Sequence, residues 1–293
     1  MISVVFSTDH NYVIPTGVTI TSLLLNKQEE EYDIYILISK DVTTADQLAL
    51  EKQVETLAPS SKLTFIEMGN LFQDGFEIRE ISTACYYRLM IPWLIPNLDK
   101  VIYSDVDVIF KTNLKELYDI SLDNYLVAGS FPNSEDGWKS SEKYFAKLGL
   151  DYRKYINSGI LVINSKLQRE ESLNLKYEKL TKNKYLFQDQ DIINIACKNR
   201  ITYFDKRYNL NPQLYASKKE YMNNLIIHYA GEKPWKNFTY AWQEWWNVYF
   251  NSQFFDYDFY HKVSQNILNP KAQFKNLIKK SKSKFYQIIS QYK

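Results

Sequence analysis

This sequence has only two cysteines and no long hydrophobic run, and its first residues do not have the pattern of a leader peptide. Its two cysteines, Cys85 and Cys197, lie far apart among apolar residues, which excludes a disulfide framework and a thiolate metal site. No run of 18 apolar residues occurs, so we expect no transmembrane helix. Residues 1–6 carry no basic side chain and indicate a first β-strand rather than a secretory signal. These absences predict a cytoplasmic protein.

Glycine is also scarce, at 8 of 293 residues. The hydrophobic and charged fractions, 45% and 24%, are those of an ordinary soluble globular protein. Segments of helical period, such as 44–57 and 189–198, separate short apolar runs with strand character at 2–7, 33–38, 62–67, 100–104, 124–129, 159–164 and 225–229. This alternation predicts an α/β fold with a largely parallel sheet and flanking helices. We expect one catalytic domain at 1–255 and a C-terminal helical extension at 256–293.

The extension ends in a basic segment, 271–293, which contains seven Lys and no acidic residue. Apolar residues of this segment recur at helical spacing, and they are Phe274, Leu277, Ile278, Phe285, Ile288 and Ile289. A basic amphipathic helix is typical of peripheral contact with the inner face of an anionic membrane, and packing on the domain or in an oligomer is the alternative. Because the rest of the chain is net acidic, we expect no nucleic acid partner.

Ligands of open α/β sheets bind at the carboxyl ends of the strands, so polar residues that follow a strand are the first to consider. Asp105 and Asp107 follow the predicted strand at 100–104, and strand alternation points both carboxylates to the same side. Two adjacent negative charges favour a divalent cation between them. An Asp-x-Asp pair alone, however, also occurs in many loops.

His228 follows the predicted strand at 225–227 and precedes a turn that contains Gly231 and Lys233. An imidazole nitrogen beside two carboxylates suits Mn²⁺ better than a cation that prefers only oxygen. Lys233 can neutralise a phosphate as a point charge. A lone histidine, in contrast, is more often a hydrogen-bonded core residue.

Six sequence blocks spread over residues 1–240 carry a more specific signal than either pattern alone. They are 6–12 (FSTDHNY), 82–89 (STACYYRL), 100–107 (KVIYSDVD), 155–161 (YINSGIL), 188–191 (QDQD) and 228–235 (HYAGEKPW). In this order they resemble glycosyltransferase family 8, which includes the bacterial lipooligosaccharide α-galactosyltransferases and glycogenin. The resemblance implies a GT-A fold, a UDP-hexose donor, Mn²⁺ or Mg²⁺, and transfer with retention of the anomeric configuration.

The resemblance also implies a role for each matched residue. We expect Asp105, Asp107 and His228 to hold the metal. Contacts to UDP are expected from Ser7, Thr8, Asp9, Asn11, Asp105, Val106, Gly231 and Lys233. The donor sugar is expected to contact Arg88, Asn157, Asp189 and Gln190.

Asp189 and Gln190 are the catalytic candidates of this set. A neutral amide is a poor nucleophile, so we expect both residues to stabilise an oxocarbenium-like centre during attack on the same face of the sugar. A double displacement would instead form a covalent glycosyl adduct. Taken singly, Asp189 could also be the N-cap of the following helix.

Two departures from the family pattern concern the donor sugar and the phosphates. Residues 128–133 lack the acidic residue that the bacterial galactosyltransferases have there, which leaves galactose and glucose as alternatives for the donor. In the turn after His228, one residue separates Gly231 from Lys233, whereas the family pattern has two residues between this glycine and lysine. A glycan or glycoprotein acceptor is expected, and Trp138 or the group Trp235, Trp242, Trp245 and Trp246 could stack on a sugar, although packing is the more common role of such rings.

Two other functions remain open at this point. A sugar-nucleotide nucleotidyltransferase also uses metal-binding carboxylates on an α/β sheet, but it would normally have a Gly-rich basic loop after the first strand, which Ser7-Thr8-Asp9-His10-Asn11 is not. A nucleotide-sugar sensor without turnover would bind UDP-sugars and release no UDP.

Overall fold

The computed structural model of the protein describes residues 1–69, 71–72, 83–131, 138–217, 224–237 and 239–268. In these ranges the strands are β1 (Ile2–Thr8), β2 (Tyr32–Ile38), β3 (Lys62–Glu67), β4 (Lys100–Ser104), β5 (Val108–Phe110), β6 (Val127–Ser130), β7 (Ile160–Asn164), β8 (Ile201–Phe204) and β9 (Ile226–His228). Seven of them form one sheet in the order β3-β2-β1-β4-β7-β6-β8, and β5 pairs with β9 in a separate two-stranded sheet.

The large sheet is mostly parallel. Strands β3, β2, β1 and β4 run in one direction, and β7 is antiparallel to both of its neighbours, β4 and β6. The polar residues after β1, β4 and β6 therefore meet at one edge. This confirms the predicted α/β architecture of a mostly parallel sheet with flanking helices, as in a GT-A fold.

Two strands were not predicted from the sequence, β5 and β8. Strand β5 has only three residues, all buried, so it is too short to show a period of two. Strand β8 is only partly buried over most of its length, and its alternation is correspondingly weak. Strand β5 is important for the site because it links the Asp105–Asp107 segment to β9.

The helices cover the sheet on both sides. They are α1 (Val13–Leu25), α2 (Thr44–Leu57), α3 (Ile91–Leu94), α4 (Lys115–Tyr118), α5 (Glu142–Lys147), α6 (Ser165–Glu170), α7 (Leu173–Thr181), α8 (Gln188–Ala196), α9 (Pro212–Ser217), α10 (Trp242–Phe250) and α11 (Tyr257–Leu268). Helix α2 has the predicted bounds because Thr43 and Asp46 form a capping box at its start. Short 3₁₀ helices at Thr83–Met90 and Lys206–Asn209 carry residues of the site.

The C-terminal part of the described chain packs on the same domain. Trp235, Trp245, Trp246 and Tyr249 form a buried aromatic cluster, in which the rings of Trp245 and Tyr249 stack with centroids 5.1 Å apart. Val263 of α11 packs into this cluster as well. These tryptophans therefore serve packing, which leaves no face of Trp245 for a sugar.

Several predictions concern segments or properties outside this core. Cys85 and Cys197 are both free and buried, as predicted. In the described ranges no helix combines the length and hydropathy that crossing a bilayer requires. The basic segment 271–293 lies outside the described residues, and the division of the chain at residue 255 stays a prediction.

Helix α1 is buried almost all round, and Gly17 lies against Phe254 of the C-terminal part of the chain. A Cβ atom at Gly17 would lie 2.3 Å from the ring of the buried Phe254. We predict that Gly17→Ala lowers the free energy of unfolding by about 1–3 kcal/mol, as overpacking does. Urea denaturation should show a lower midpoint at an unchanged m-value.

The matched control is Phe254→Leu, which removes the ring that a Cβ at residue 17 would meet. In the Phe254→Leu background, Gly17→Ala should cost clearly less stability than in the wild type. Equal costs in the two backgrounds would contradict the inferred contact.

Candidate functional site

Asp105 and Asp107 lie in the short link between β4 and β5, at the carboxyl end of β4. The backbone N–H of Asp105 donates to the carbonyl of Gly159, with 2.7 Å between N and O. Asp107 is 7% exposed, so its carboxylate is held in a nearly dry environment. The predicted position of both carboxylates at a strand end is what the structure shows.

His228 reaches the two aspartates because β9 pairs with β5. Val108 is the register partner of His228, and the backbone N–H of Tyr229 donates to the carbonyl of Asp107 at 2.9 Å. His228 Nε2 lies 3.3 Å from Asp107 Oδ1 and 3.7 Å from Asp105 Oδ2. The three potential ligand atoms all lie within 4.8 Å of one another, so these residues can share one cation.

Each aspartate has one carboxylate oxygen bonded to a cationic side chain. Its other oxygen faces the space beside His228 Nε2, which we call the gap. Asp105 Oδ1 accepts hydrogen bonds from Arg88 at 2.8 Å and from the Tyr103 hydroxyl at 2.9 Å. Asp107 Oδ2 accepts one from Lys233 Nζ. The other two oxygens, Asp105 Oδ2 and Asp107 Oδ1, face the imidazole.

Two observations indicate that a divalent cation fits this gap. Asp107 Oδ1 is buried, and no hydrogen bond to it occurs within the described part of the chain, which is costly for a carboxylate oxygen without a cation. Gly159 lines the gap, and a Cβ there would lie 2.1 Å from the His228 ring and 2.8 Å from Asp105 Oδ2. The donor set of two carboxylate oxygens and one imidazole nitrogen suits a borderline metal.

The charges of this site are balanced by burial and pairing. Burial alone would raise the pKa of Asp107, but positive charge nearby, led by the Lys233 ammonium, holds that pKa well below its usual range. Burial lowers the pKa of Lys233, but Asp107 more than compensates and raises it. Asp107 is therefore an anion and Lys233 a cation at neutral pH.

Arg88 connects the metal end of the site to α8. Its side chain is 6% exposed, and its guanidinium contacts Asp105, Asp189 at 3.2 Å and the carbonyl of Ser158 at 2.7 Å. Burial raises the pKa of Asp189, and Arg88 partly offsets this. Arg88 thus holds the carboxylates of Asp105 and Asp189 together.

Asp189 and Gln190 belong to the first turn of α8, whose N-cap is Phe187. Asp189 is therefore not the N-cap of α8, so the alternative interpretation of this residue is wrong. Asp189 Oδ2 accepts a hydrogen bond from the Ser158 hydroxyl at 2.9 Å. Gln190 Oε1 accepts from Asn157 Nδ2 at 2.9 Å and from the backbone N–H of Ser158 at 3.1 Å.

Asn209 was not predicted from the sequence, although it joins the two ends of the site. Its Nδ2 donates to Asn157 Oδ1 at 2.9 Å, and its Oδ1 lies 2.6 Å from His228 Nδ1. Asn209 ends a 3₁₀ helix that belongs to no recognisable block. Asn209 is 2% exposed, but this burial is visible only in the structure, so no signal in the sequence identifies the residue.

The segment after β1 lies beside Asp105 because β1 and β4 are neighbours. The parallel register pairs Val5 with Tyr103, which places Ser7 level with Asp105 at the sheet edge. Ser7 and Thr8 are buried, whereas Asp9 is half-buried and Asn11 is exposed. Val106, whose carbonyl accepts a hydrogen bond from Thr19, is held by α1.

The turn after His228 brings Lys233 to Asp107 rather than leaving it in solvent. Lys233 Nζ also donates to the carbonyl of Tyr229 at 2.9 Å. Gly231 adopts φ +152°, a conformation that favours glycine, and apart from its chain neighbours no atom of the described residues lies within 4 Å of a Cβ built there. The turn is thus open above Gly231.

The segment before Trp138, one of the residues that could stack on a sugar, is only partly described, since residues 132–137 lie outside the described ranges. At the end of β6, Phe131 stacks on Tyr203 with centroids 3.9 Å apart and remains 41% exposed. Trp138 packs edge-on against Phe145, Tyr155 and Phe187. Trp138 therefore has a packing role in this structure.

Comparison with known proteins gives a consistent result. The family model "Glycosyl transferase family 8" matches residues 3–239. A Haemophilus influenzae protein, whose name gives glycosyltransferase as an inferred activity, is 31% identical over 72% of this chain and 63% of its own length. The chain therefore spans less than two thirds of the length of that relative.

Two further relatives have more specific names. The lipopolysaccharide 1,3-galactosyltransferase of Salmonella typhimurium is 25% identical over 86% of this chain and 76% of its own length. The crystal structure of galactosyltransferase LgtC with donor and acceptor sugar analogues has a TM-score of 0.76 and 24% identity, and covers 89% of this chain and 100% of LgtC. At that identity the likeness supports the fold alone. Because the family model spans most of its length, this chain belongs to glycosyl transferase family 8.

Proposed function

We propose that this protein is a retaining, metal-dependent hexosyltransferase that moves galactose or glucose from a UDP-sugar to a glycan or glycoprotein acceptor in cell-surface glycan biosynthesis. The observation that carries the proposal is the arrangement of Asp105, Asp107 and His228 around one gap. The same hydrogen-bonded network contains Asp189 and Gln190. A nucleotide-binding end and a sugar-binding end are thus contiguous.

The metal proposed for this gap is Mn²⁺, with Mg²⁺ as the substitute. The imidazole nitrogen favours Mn²⁺, because Mg²⁺ prefers an octahedron of oxygen ligands. The bound metal would supply a Lewis acid that disperses the negative charge of the leaving diphosphate. Lys233, which is held by Asp107, would add a second positive charge beside the phosphates.

The UDP moiety is proposed to lie along the sheet edge between β1 and the turn after β9. Ser7 and Thr8 end β1, Asp9 and Asn11 follow it, and all four would contact the uridine. Asp105 and Val106 would contact the ribose. The open backbone at Gly231 would admit the diphosphate close to Lys233.

The donor sugar is proposed to contact Arg88, Asn157, Asp189 and Gln190. Attack on the same face of the sugar is favoured over a double displacement, since the Gln190 amide oxygen already accepts two hydrogen bonds and is a weak nucleophile. The buried carboxyl of Asp189, next to Arg88, would stabilise positive charge at the anomeric carbon. Gln190 would orient that centre.

The reaction is proposed to take place in the cytoplasm. The basic segment 271–293 would contact the inner face of the membrane, where a lipid-linked acceptor is presented. Packing of this segment in an oligomer is the competing arrangement. The galactosyltransferase and glucosyltransferase names of the relatives support a hexose donor.

The first prediction of this proposal concerns metal and donor. We expect Mn²⁺-dependent release of UDP from UDP-galactose or UDP-glucose, and loss of release on chelation. Asp107→Asn should lower kcat/KM by more than the roughly 10–100-fold that loss of an outer-shell partner of a metal ligand costs. The measurement is UDP release against a panel of UDP-hexoses and their N-acetyl forms.

Two outcomes would contradict the proposal. Tight UDP binding without release from any donor would favour a nucleotide-sugar sensor. Formation of a UDP-sugar from UTP and a sugar phosphate would favour a nucleotidyltransferase. Gln168→Leu is a suitable control for Asp107→Asn. Gln168 is also a buried polar residue, but it bonds Leu126 and Tyr177 at the opposite edge of the sheet, so its replacement should leave kcat/KM unchanged.

A second prediction concerns Gln190. Gln190→Ala should lower kcat by roughly 10²–10³, the range for loss of one preorganised polar group that contacts the transition state, with little change in the KM for the UDP-sugar. Mass spectrometry of the wild-type protein during turnover should find no glycosylated peptide. A trapped glycosyl adduct on any side chain would overturn same-face attack.

A third prediction concerns the basic segment. Deletion of residues 271–293 should leave UDP release in solution unchanged and should reduce binding to vesicles that contain anionic lipid. Because the attraction is electrostatic, wild-type binding should also fall at high salt. Unchanged partitioning of the deletion variant onto anionic vesicles would exclude a membrane role for this segment.

A further inference from the structure

We propose that Asn209 is a positioning residue that keeps a proton on Nδ1 of His228 and thereby directs the lone pair of Nε2 toward Asp105 and Asp107. This inference rests on the proposed metal role of His228. Asn209 lies outside the six sequence blocks described above. Two backbone N–H groups and three side-chain amides determine its orientation.

The backbone fixes the orientation of the first two amides. Gly159 N–H, which can only donate, bonds to Asn157 Oδ1 at 2.9 Å. Ser158 N–H bonds to Gln190 Oε1 at 3.1 Å. Asn157 Nδ2 then donates to Gln190 Oε1, which agrees with both assignments. A flip of the Asn157 amide would set an NH₂ group against the N–H of Gly159.

The orientation of Asn157 determines that of Asn209. Because Asn157 presents its oxygen, the group of Asn209 at 2.9 Å from it must be the NH₂. Asn209 Oδ1 is consequently the atom that lies 2.6 Å from His228 Nδ1. An oxygen in that position accepts, so Nδ1 carries the proton.

The consequence for the metal site follows from the two nitrogens of one ring. With Nδ1 protonated, Nε2 of the neutral ring has a free lone pair, and Nε2 is the nitrogen that faces Asp105 Oδ2 and Asp107 Oδ1. A partner that binds the other nitrogen of a metal-bound histidine normally fixes the tautomer and the ring orientation. Asn209 occupies that place.

Burial makes the arrangement rigid. Asn209 is 2% exposed and His228 is 3% exposed, so no solvent replaces a lost hydrogen bond easily. The same amides reach Gln190, which means that the ring of His228 and the donor-sugar end share one set of hydrogen bonds. A change at Asn209 should therefore affect the metal ligand first.

The experiment compares the wild type with Asn209→Leu, which removes the acceptor in a side chain of similar branching, and with Asn209→Asp, which retains the acceptor toward His228 but loses the NH₂ group that Asn157 Oδ1 accepts from. The first readout is ¹⁵N NMR of the imidazole nitrogens in the full metal-free chain, which has only three histidines, His10, His228 and His261. The second readout is Mn²⁺ affinity from the EPR signal of free Mn²⁺. Neither readout requires a sugar donor.

We expect a protonated Nδ1 at His228 in the wild type and in Asn209→Asp. In Asn209→Leu, this proton should be lost to exchange or moved to Nε2, and the Kd for Mn²⁺ should rise roughly 10–100-fold. Asn209→Asp keeps the acceptor at Nδ1 but sets an oxygen against Asn157 Oδ1, so it should recover only part of the affinity that Asn209→Leu loses. Gln168→Leu, the buried-amide control, should change neither readout.

Three results would overturn the proposal. The first is an unprotonated Nδ1 at His228 in the wild type, a result that does not depend on whether any variant folds. The second is a folded Asn209→Leu variant that keeps the Nδ1 proton and the wild-type Mn²⁺ affinity. The third is an equal loss in Gln168→Leu. Absence of Mn²⁺ binding by the wild type would contradict the proposed function, while the NMR readout would still decide the role of Asn209.

Discussion

The arrangement of the site depends on how two neighbouring carboxylates, Asp107 almost fully buried and Asp105 partly buried, are kept together. Asp105 and Asp107 would repel each other without compensation. Arg88 binds one oxygen of Asp105 and Lys233 binds one oxygen of Asp107, and the remaining oxygens face His228. Removal of one partner from such a buried pair typically costs about 3–5 kcal/mol. The cations are thus part of the structure as well as of the proposed chemistry.

The backbone brings these groups together by means of one short sheet and one glycine. Pairing of β5 with β9 places His228 beside Asp107, and Gly159 leaves the space that the imidazole and Asp105 occupy. Arg88 then ties Asp105 to Asp189 on α8. As a result, the residues proposed for the metal and those proposed for the sugar form one continuous network. A displacement of α8 would therefore also disturb the carboxylates.

Much of the fold could be predicted from the sequence, because long strands and helices have a period that the sequence displays. The bounds of α2 follow from its capping box, and the strand before Asp105 follows from its apolar run. The three-residue strand β5 could not be predicted, since three buried residues show no alternation. The antiparallel direction of β7 is a property of long-range pairing that no local pattern contains.

The site was predictable to the extent that its residues occur in blocks at strand ends. Asp105, Asp107 and His228 lie together as expected. Asn209 was missed because its role comes from a tertiary contact with His228 and Asn157, which are distant in sequence. The ion pair between Lys233 and Asp107 was also not expected, because the side chain of a lysine in a turn is usually solvated. Packing of Trp138 and Trp245 followed the more common role of buried rings.

The proposed site holds a single divalent cation with one imidazole and two carboxylates, next to a nucleoside diphosphate. Pulsed EPR of Mn²⁺ bound to the full chain in the presence of UDP is the decisive measurement. We expect coupling to one imidazole nitrogen and to phosphorus, with loss of the nitrogen coupling in His228→Leu. Bound Mn²⁺ that shows phosphorus coupling but no nitrogen coupling in the wild type would contradict the proposed site.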